Sequence, residues 1–204
     1  MRTACLACAL VTGALVPARA YAQAESGRPN ASVGGLFIGY ELLEMAMNRF
    51  QNFSGEIGYG FDDRYSVSLS IMEVNLTERH LSNKYESSAI DGDGVSGYFR
   101  GYEVHVNRRM WRGLRLSAAI GYVHDRYEHK ASGDELVNDT LTIGGGIDWR
   151  WQNPLSIPHL YIDLAVPVRY YVNPIEETQL GDATVRPHVV VNNIWLFVGF
   201  NLGN

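Results

Sequence analysis

The residues best suited to chemistry form a short polar run in the middle of the chain. His80 is followed at the second position by Ser82, and then by Asn83 and Glu86. Residues two apart in an extended backbone project from the same face, so His80 and Ser82 could act together. Histidine beside serine or a carboxylate is the usual catalytic pairing where no cysteine takes part. The same four residues also fit an ordinary polar loop, and we favour that interpretation because such short combinations recur by chance.

The other candidate ligands give weaker signals. His105 lies between two valines, where hydrogen bonding inside the protein is a simpler role than metal ligation. Four more histidines show no metal-type spacing among themselves: His124, His129, His159 and His188. The acidic segment 91–94 lacks the spaced ligands and the closing glutamate of a calcium loop. The sequence therefore predicts no metal site and no cofactor.

The first 24 residues are typical of a secretory signal peptide. Arg2 gives a positive start, an apolar segment follows over 4–16, and small residues lead up to Ala24. The apolar segment is shorter than a membrane-spanning helix requires. We expect cleavage after Ala24, which leaves one domain over 25–204. Both cysteines, Cys5 and Cys8, leave with the signal peptide, so the exported chain can use neither disulfides nor thiols.

Composition excludes several classes of protein. A chain of 204 residues suits one domain, and its net charge of -5 argues against nucleic acid as a partner. Beyond residue 20 there is no run of 18 apolar residues, which excludes a helical membrane protein. What remains is a soluble globular protein or a β-barrel in a membrane, because barrel strands have only a weak hydropathy signal.

Eight windows in the segment 25–204 alternate apolar residues with polar or very small ones, which is the two-residue period of β-strands. The windows are 36–42, 53–61, 65–71, 98–106, 114–122, 141–151, 160–170 and 194–202. Their second face is mostly Gly, Ser, Asn and isolated charges of both signs, unlike the Lys, Glu and Thr surface of a soluble sandwich. This composition favours a narrow barrel whose apolar face meets lipid.

The barrel interpretation predicts which charged residues lie in the interior and which aromatic residues lie at the membrane surfaces. The predicted interior network consists of Glu41, Glu56, Glu103, His105, Arg115, Asp148, Arg150, Asp163 and Arg169. If the first strand starts in the periplasm, aromatic residues fall into two girdles at the membrane surfaces. The predicted outer girdle is Tyr40, Tyr98, Tyr122 and Tyr170, and the predicted inner girdle is Phe61, Tyr65, Trp151 and Phe200. Short inner links alternate with long outer loops at 77–94, 128–138 and 173–186.

With these features, the segment 25–204 resembles the small eight-stranded outer-membrane barrels of the OmpA and OmpX type. The resemblance implies an all-β, antiparallel, up-and-down transmembrane barrel that is monomeric and lies in the outer membrane of a Gram-negative bacterium. It implies contact with lipid and lipopolysaccharide, and insertion by the barrel assembly machinery. That class commonly ends in an outward aromatic residue, whereas here Phe200 precedes the final Asn204.

The run at His80 is similar to the His-x-Ser-Asn element of the outer-membrane lipid A deacylases, the PagL-like family. The resemblance would make His80 the base, Ser82 the nucleophile and Asn83 an oxyanion donor. Glu86 or Glu103 would orient the histidine. In that family the element lies on the penultimate strand, whereas here it lies in mid-chain.

Four functions follow as hypotheses. The favoured one is a non-enzymatic structural or surface-interaction role for a barrel with a filled polar interior. The second is hydrolysis of lipid A acyl chains through Ser82. The third is a narrow porin-like pore that prefers cations, because Glu41, Glu56 and Glu103 outnumber the nearby arginines. The fourth is a soluble periplasmic ligand-binding barrel, which would need an apolar interior.

Overall fold

The structure is a computed structural model that describes residues 34–47, 52–76, 90–91, 94–186, 189–192 and 194–202. The predicted signal peptide over 1–24 lies outside the described residues. So do the four members of the predicted catalytic run: His80, Ser82, Asn83 and Glu86.

Strands dominate the described part of the chain. They are β1 (Gly35–Glu41), β2 (Phe53–Gly60), β3 (Tyr65–Leu76), β4 (Ile90–Asp91), β5 (Val95–Trp111), β6 (Leu114–His129), β7 (Glu135–Gln152), β8 (Leu160–Tyr171), β9 (Thr178–Leu180), β10 (Ala183–Val185), β11 (Val190–Asn192) and β12 (Trp195–Asn201). A helix α1 (Leu43–Met47) follows β1, and a 3₁₀ turn η1 (Pro154–Ser156) follows β7. The helices in the described ranges are too short to span a lipid bilayer.

The strands close into a barrel. Neighbours pair antiparallel in the order β1-β2-β3-β5-β6-β7-β8-β12, and β12 pairs back to β1 through Phe37 and Asn201. β11 and β12 pair with β8 in one continuous register, with Val190 opposite Tyr170 and Trp195 opposite Ala165. They therefore act as one strand, and the predicted eight-stranded, up-and-down antiparallel barrel is confirmed. Closure removes the exposed sheet edges that an open sheet would have.

The burial pattern along the strands is the reverse of that in a soluble domain, because apolar side chains are exposed and charged side chains are buried. The apolar face of each predicted window points outward, and Ile120 and Ile147 are 57% and 56% exposed. The opposite face is buried even where it is charged, as in Glu103 and Asp163, which are 1% and 2% exposed. β-Branched and aromatic residues suit such strands because their side chains pack well against their neighbours on the pleated surface.

The barrel wall has unequal heights. β5, β6 and β7 have 17, 16 and 18 residues, whereas β1, β2 and β12 have 7, 8 and 7. The prediction of a long loop over 128–138 is therefore wrong in extent. β6 and β7 continue through most of it and join at a turn over 130–134, where Gly133 has a φ of 73°. The alternation of apolar and polar residues is lost there, because the outward residues are charged, such as Arg126 and Glu135.

The glycine run 144–146 continues the sheet without a bulge. All three residues pair on both sides, with β6 and with β8. A Cβ at Gly144 would collide with the carbonyl oxygen of Val168, so the small residues allow close strand contact. The irregularity in register lies instead in β5, between Arg109 and Trp111, next to a turn where Arg112 has a φ of 47°.

A small sheet packs at the tall end of the barrel, which is the predicted outer end. β9 and β10 form a hairpin within the predicted loop 173–186, and β10 also pairs with β4. Beneath this sheet lies a buried apolar cluster: Val95, Tyr127, Ile175, Leu180, Ala183 and Val185. This segment is therefore folded against the tall wall, because it contributes apolar side chains to a shared core.

The opposite end has tight connections. Between β2 and β3, Oδ1 of Asp62 accepts the backbone N–H groups of Arg64 and Tyr65, both at 2.7 Å. These hydrogen bonds hold the pKa of the Asp62 carboxyl below its ordinary value. The link around η1 is stabilised by Oδ1 of Asn153, which accepts the backbone N–H of His159 at 2.9 Å.

The interior leaves no room for a side chain at Gly199 in β12. A Cβ at that position would collide with the ring of Tyr161 and with the carbonyl oxygen of Ile38. We expect Gly199→Val to destabilise the barrel by about 1–3 kcal/mol, because overpacking displaces neighbouring groups. The measurement is the urea midpoint of refolded protein in lipid vesicles. Val198→Ile, on the outward face, is the matched control, and equal midpoints for the two variants would contradict the packing argument.

Candidate functional site

The interior holds a network of ion pairs built from four strands. Arg115 on β6 contacts Asp148 on β7 and Asp163 on β8. Arg150 donates from Nη2 to Oε1 of Glu56 at 2.7 Å, and from Nε to Oδ2 of Asp163 at 2.9 Å. The register brings these groups together, because Arg115 pairs opposite Asp148 and Arg150 opposite Asp163. All five side chains are buried.

Aromatic rings enclose one arginine of this network. The guanidinium carbon of Arg150 lies 4.1 Å from the ring centroid of Tyr161 and 4.6 Å from that of Phe37. The Tyr161 hydroxyl donates to Oε1 of Glu56 at 2.8 Å. The cation is thus held by π-faces as well as by carboxylates, which favours a fixed position over a mobile one.

A second cluster lies closer to the outer end. Arg169 on β8 contacts Glu103 on β5, and its guanidinium carbon lies 4.4 Å from the ring centroid of Trp195. The His105 ring packs edge-on against Trp195 at 6.3 Å between centroids. Nε2 of His105 lies 3.5 Å from Oε2 of Glu103. Glu103, to which the resemblance to the deacylases would give the role of orienting acid, is thus bound to Arg169.

Glu41 has a different role at the outer end of β1. Its Oε1 accepts the backbone N–H of Leu43 at 2.9 Å and that of Leu196 at 3.0 Å. The carboxylate is fully buried and ties the start of α1 to β12. It therefore helps to hold the seam where the barrel closes.

Carboxylates outnumber arginines among the buried charges in the described residues. The carboxylates are Glu41, Glu56, Glu103, Asp125, Asp148 and Asp163, against Arg115, Arg150 and Arg169. A cavity beside Glu56, Arg115, Asp148 and Asp163 has a volume of about 30 Å³ and is also lined by Ser68, His105 and Asn107. That volume has room for roughly one or two water molecules. No three potential metal ligands cluster in the described part of the chain.

The inward aromatic residues do not follow from the alternation in the sequence. Phe37, Tyr161, Trp195 and Phe197 are each at most 5% exposed, and they pack together with Met72. They occupy the face that the alternation assigned to polar and small residues. The available signal was the apolar run at 194–198, where both faces of the strand are hydrophobic.

The predicted girdle residues lie on the outward face at different levels. Towards the outer end, Tyr122 on β6 pairs opposite Tyr102, and Tyr170 lies two strands further, on β8, opposite Ile143 of β7. Tyr40 packs on Phe53, with 6.0 Å between ring centroids.

Tyr98 precedes Tyr102 by four residues on β5 and therefore lies nearer the outer end. It pairs opposite Arg126, where the outward face of the wall is charged.

The inner end has a denser band of rings than the sequence predicted. Predicted members Phe61, Tyr65, Trp151 and Phe200 are each at least 42% exposed. Trp151 adjoins Trp149, which in turn packs edge-on against Trp111 at 6.2 Å between centroids. Tyr59 packs on Phe61 at 5.6 Å.

A serine, a histidine and an aspartate meet where the tall wall touches the β9–β10 hairpin. Nε2 of His129 lies 2.7 Å from Oδ1 of Asp182, and its Nδ1 lies 2.8 Å from Oγ of Ser132. The Ser132 hydroxyl, however, donates to Asp134 at 2.6 Å, and the Ser132 backbone N–H donates to the same Nδ1 at 3.2 Å. The backbone N–H occupies the single lone pair of Nδ1 that a base would use. The group therefore stabilises the turn and fastens the hairpin to it.

The interior network makes a testable contribution to stability. We expect Arg150→Met to cost about 3–5 kcal/mol in urea unfolding, because it leaves the buried carboxylate of Glu56 without its cation and Asp163 with Arg115 alone. The double variant Arg150→Met with Glu56→Gln should recover part of that loss. Arg126→Met, which breaks an exposed pair with Glu135, is the control and should cost at most about 1 kcal/mol. Equal losses at Arg150 and Arg126 would contradict a structural role for the network.

Comparison with known proteins finds similarity at the level of solved structures. No protein-family model matches the sequence, and no curated protein matches it. The N-terminal β-barrel domain of Pseudomonas aeruginosa OprF is 16% identical and aligns over 85% of this chain and 100% of that chain, with a TM-score of 0.42. Ail, the attachment invasion locus protein of Yersinia pestis, is 18% identical over 84% of this chain and 99% of that chain, with a TM-score of 0.39. At these values the likeness says nothing about function.

Proposed function

We propose that the chain is an outer-membrane β-barrel with a non-enzymatic role in the cell envelope, structural or in recognition at the cell surface. The observation that carries the proposal is the outward apolar belt, bounded at both ends by aromatic rings, around an interior that contains the charges. Lipid exposure favours this arrangement, because hydrocarbon accepts apolar side chains and interfacial rings but not charges. The barrel would be monomeric and would be inserted by the barrel assembly machinery.

The two ends support an orientation. Short turns at 61–64 and 112–113 lie at one end, and the tall wall and the β9–β10 hairpin lie at the other. Outer-membrane barrels have short periplasmic turns and longer extracellular connections. The tall wall would then face the cell exterior, beside lipopolysaccharide, and would supply a folded surface for recognition.

The composition of the interior supports a filled, non-conducting barrel over the alternative of a cation-preferring pore. The arginines are held by carboxylates and by rings, and the cavity has room for only about one or two waters. The buried cluster under the β9–β10 hairpin adds an apolar barrier at the outer end. An ion crossing this interior would have to displace several buried groups at once.

Placement in a membrane is tested by two matched substitutions on the outward face. Ile120 lies in the middle of the apolar belt, whereas Val137 lies on the tall wall beyond it, opposite Arg126. We expect Ile120→Lys to cost about 2–4 kcal/mol in vesicles and Val137→Lys about 0–1 kcal/mol, because only the first places a charge at the bilayer centre.

The same proteins are examined by membrane fractionation and by gel mobility before and after boiling. The wild type should appear in the outer-membrane fraction and should migrate differently when unboiled. A soluble wild type, or equal costs for the two lysines, would overturn the proposal.

A filled interior has a direct electrical consequence. We expect wild-type protein in planar bilayers to give no stable conductance steps. The ion pairs of Arg115 and Arg150 and the apolar cluster block the path of an ion along the barrel axis. A general porin reconstituted in the same way is the control for insertion. Reproducible cation-selective steps would contradict the filled interior and favour the pore.

A further inference from the structure

Arginines are concentrated at the inner end of the barrel, where the end of β5 contacts the turn before β3. The backbone N–H of Arg109 donates to the carbonyl oxygen of Arg64 at 2.7 Å, and its guanidinium lies 3.0 Å from Asp63. Arg108 lies at the end of β5, and Arg112 lies in the turn that follows it. This end of the barrel thus holds four arginines, and Asp63 pairs with Arg109.

Arg108 and Arg112 face outward among exposed rings. Arg108 lies opposite Tyr65 at the end of the apolar belt, with its guanidinium carbon 5.8 Å from that ring centroid. The guanidinium carbon of Arg112 lies 4.9 Å from the ring centroid of Trp111, which is 57% exposed. Met110, between them, is 49% exposed. Two cations therefore stand beside apolar groups at the level of one membrane surface.

The outer end of the same wall is different, because its cations are neutralised. Arg100 pairs with Glu73 at 2.8 Å and Arg126 with Glu135 at 2.9 Å. Within the described ranges, neither Arg108 nor Arg112 has a carboxylate within salt-bridge distance. The inner arginines therefore retain their capacity to bind an anion from outside the protein.

We infer that Arg108 and Arg112, with Trp111 and Tyr65, form a binding site for the phosphate of an anionic phospholipid in the inner leaflet. The inference rests on the proposed membrane location and orientation. A guanidinium binds phosphate oxygens through paired N–H donors, and basic groups at a membrane surface select anionic lipids. The exposed rings and Met110 suit the glycerol and upper acyl region of the same lipid. The site would favour phosphatidylglycerol over a zwitterionic lipid.

The tryptophans at this end provide the measurement. Refolded protein is placed in phosphatidylcholine vesicles that contain a minor fraction of brominated phosphatidylglycerol or, in a parallel set, of brominated phosphatidylcholine. Brominated chains quench tryptophan on contact, and Trp111, Trp149 and Trp151 all lie near the proposed site. We expect preferential quenching by phosphatidylglycerol, with a preference that falls roughly five-fold for each arginine removed. Added salt should weaken the preference.

The variants separate a site from general electrostatic attraction. Arg108→Gln with Arg112→Gln should lose the preference, whereas the control Arg100→Gln with Arg126→Gln, which removes the same charge at the outer end, should keep it. Equal quenching of the wild type by both lipids, or equal loss in both double variants, would overturn the site. If neither lipid quenches and the boiled and unboiled bands coincide, the proposed membrane location fails, and the site fails with it.

Discussion

The pairing of β12 with β1 is the constraint on which the rest of the structure depends. It joins the last strand to the first, so that the backbone of each of the eight strands meets a neighbour on both sides. A sheet with a free edge would leave backbone donors and acceptors without partners, which is especially costly in hydrocarbon. The buried carboxylate of Glu41 helps to hold this seam through its contact with Leu196 on β12.

Closure also decides which residues must be paired. A narrow barrel turns one face of every strand into an enclosed space, so a charge on that face has no access to bulk water. Arg115, Arg150 and Arg169 are accordingly matched with carboxylates on neighbouring or facing strands. Tyr161 and Trp195 pack their rings against the guanidinium groups of Arg150 and Arg169. The interior is thus a polar core, in which ion pairs and aromatic rings together fill space.

The unequal wall heights connect the fold to the proposed role. β5, β6 and β7 rise beyond the apolar belt, and their outward residues change there from isoleucine and leucine to arginine, glutamate and histidine. The β9–β10 hairpin packs on the inside of this wall through Tyr127 and its apolar neighbours. The two ends of one wall therefore differ in charge balance: the outer cations are paired, while two inner arginines stand beside rings.

The sequence by itself determined the barrel class, because a two-residue alternation is a local property that each window carries on its own. It also determined which face is apolar, and hence the inward charges and the outward rings. The tertiary structure alone decided that Glu56 meets Arg150, 94 positions away, because such contacts depend on strand register and on curvature around the closed sheet. It alone placed Trp195 and Phe197 inside, where both faces of the strand are apolar and alternation has no contrast. It also extended β6 and β7 over 128–129 and 135–138, because pairing between the two strands stabilises polar residues that have no strand signal of their own.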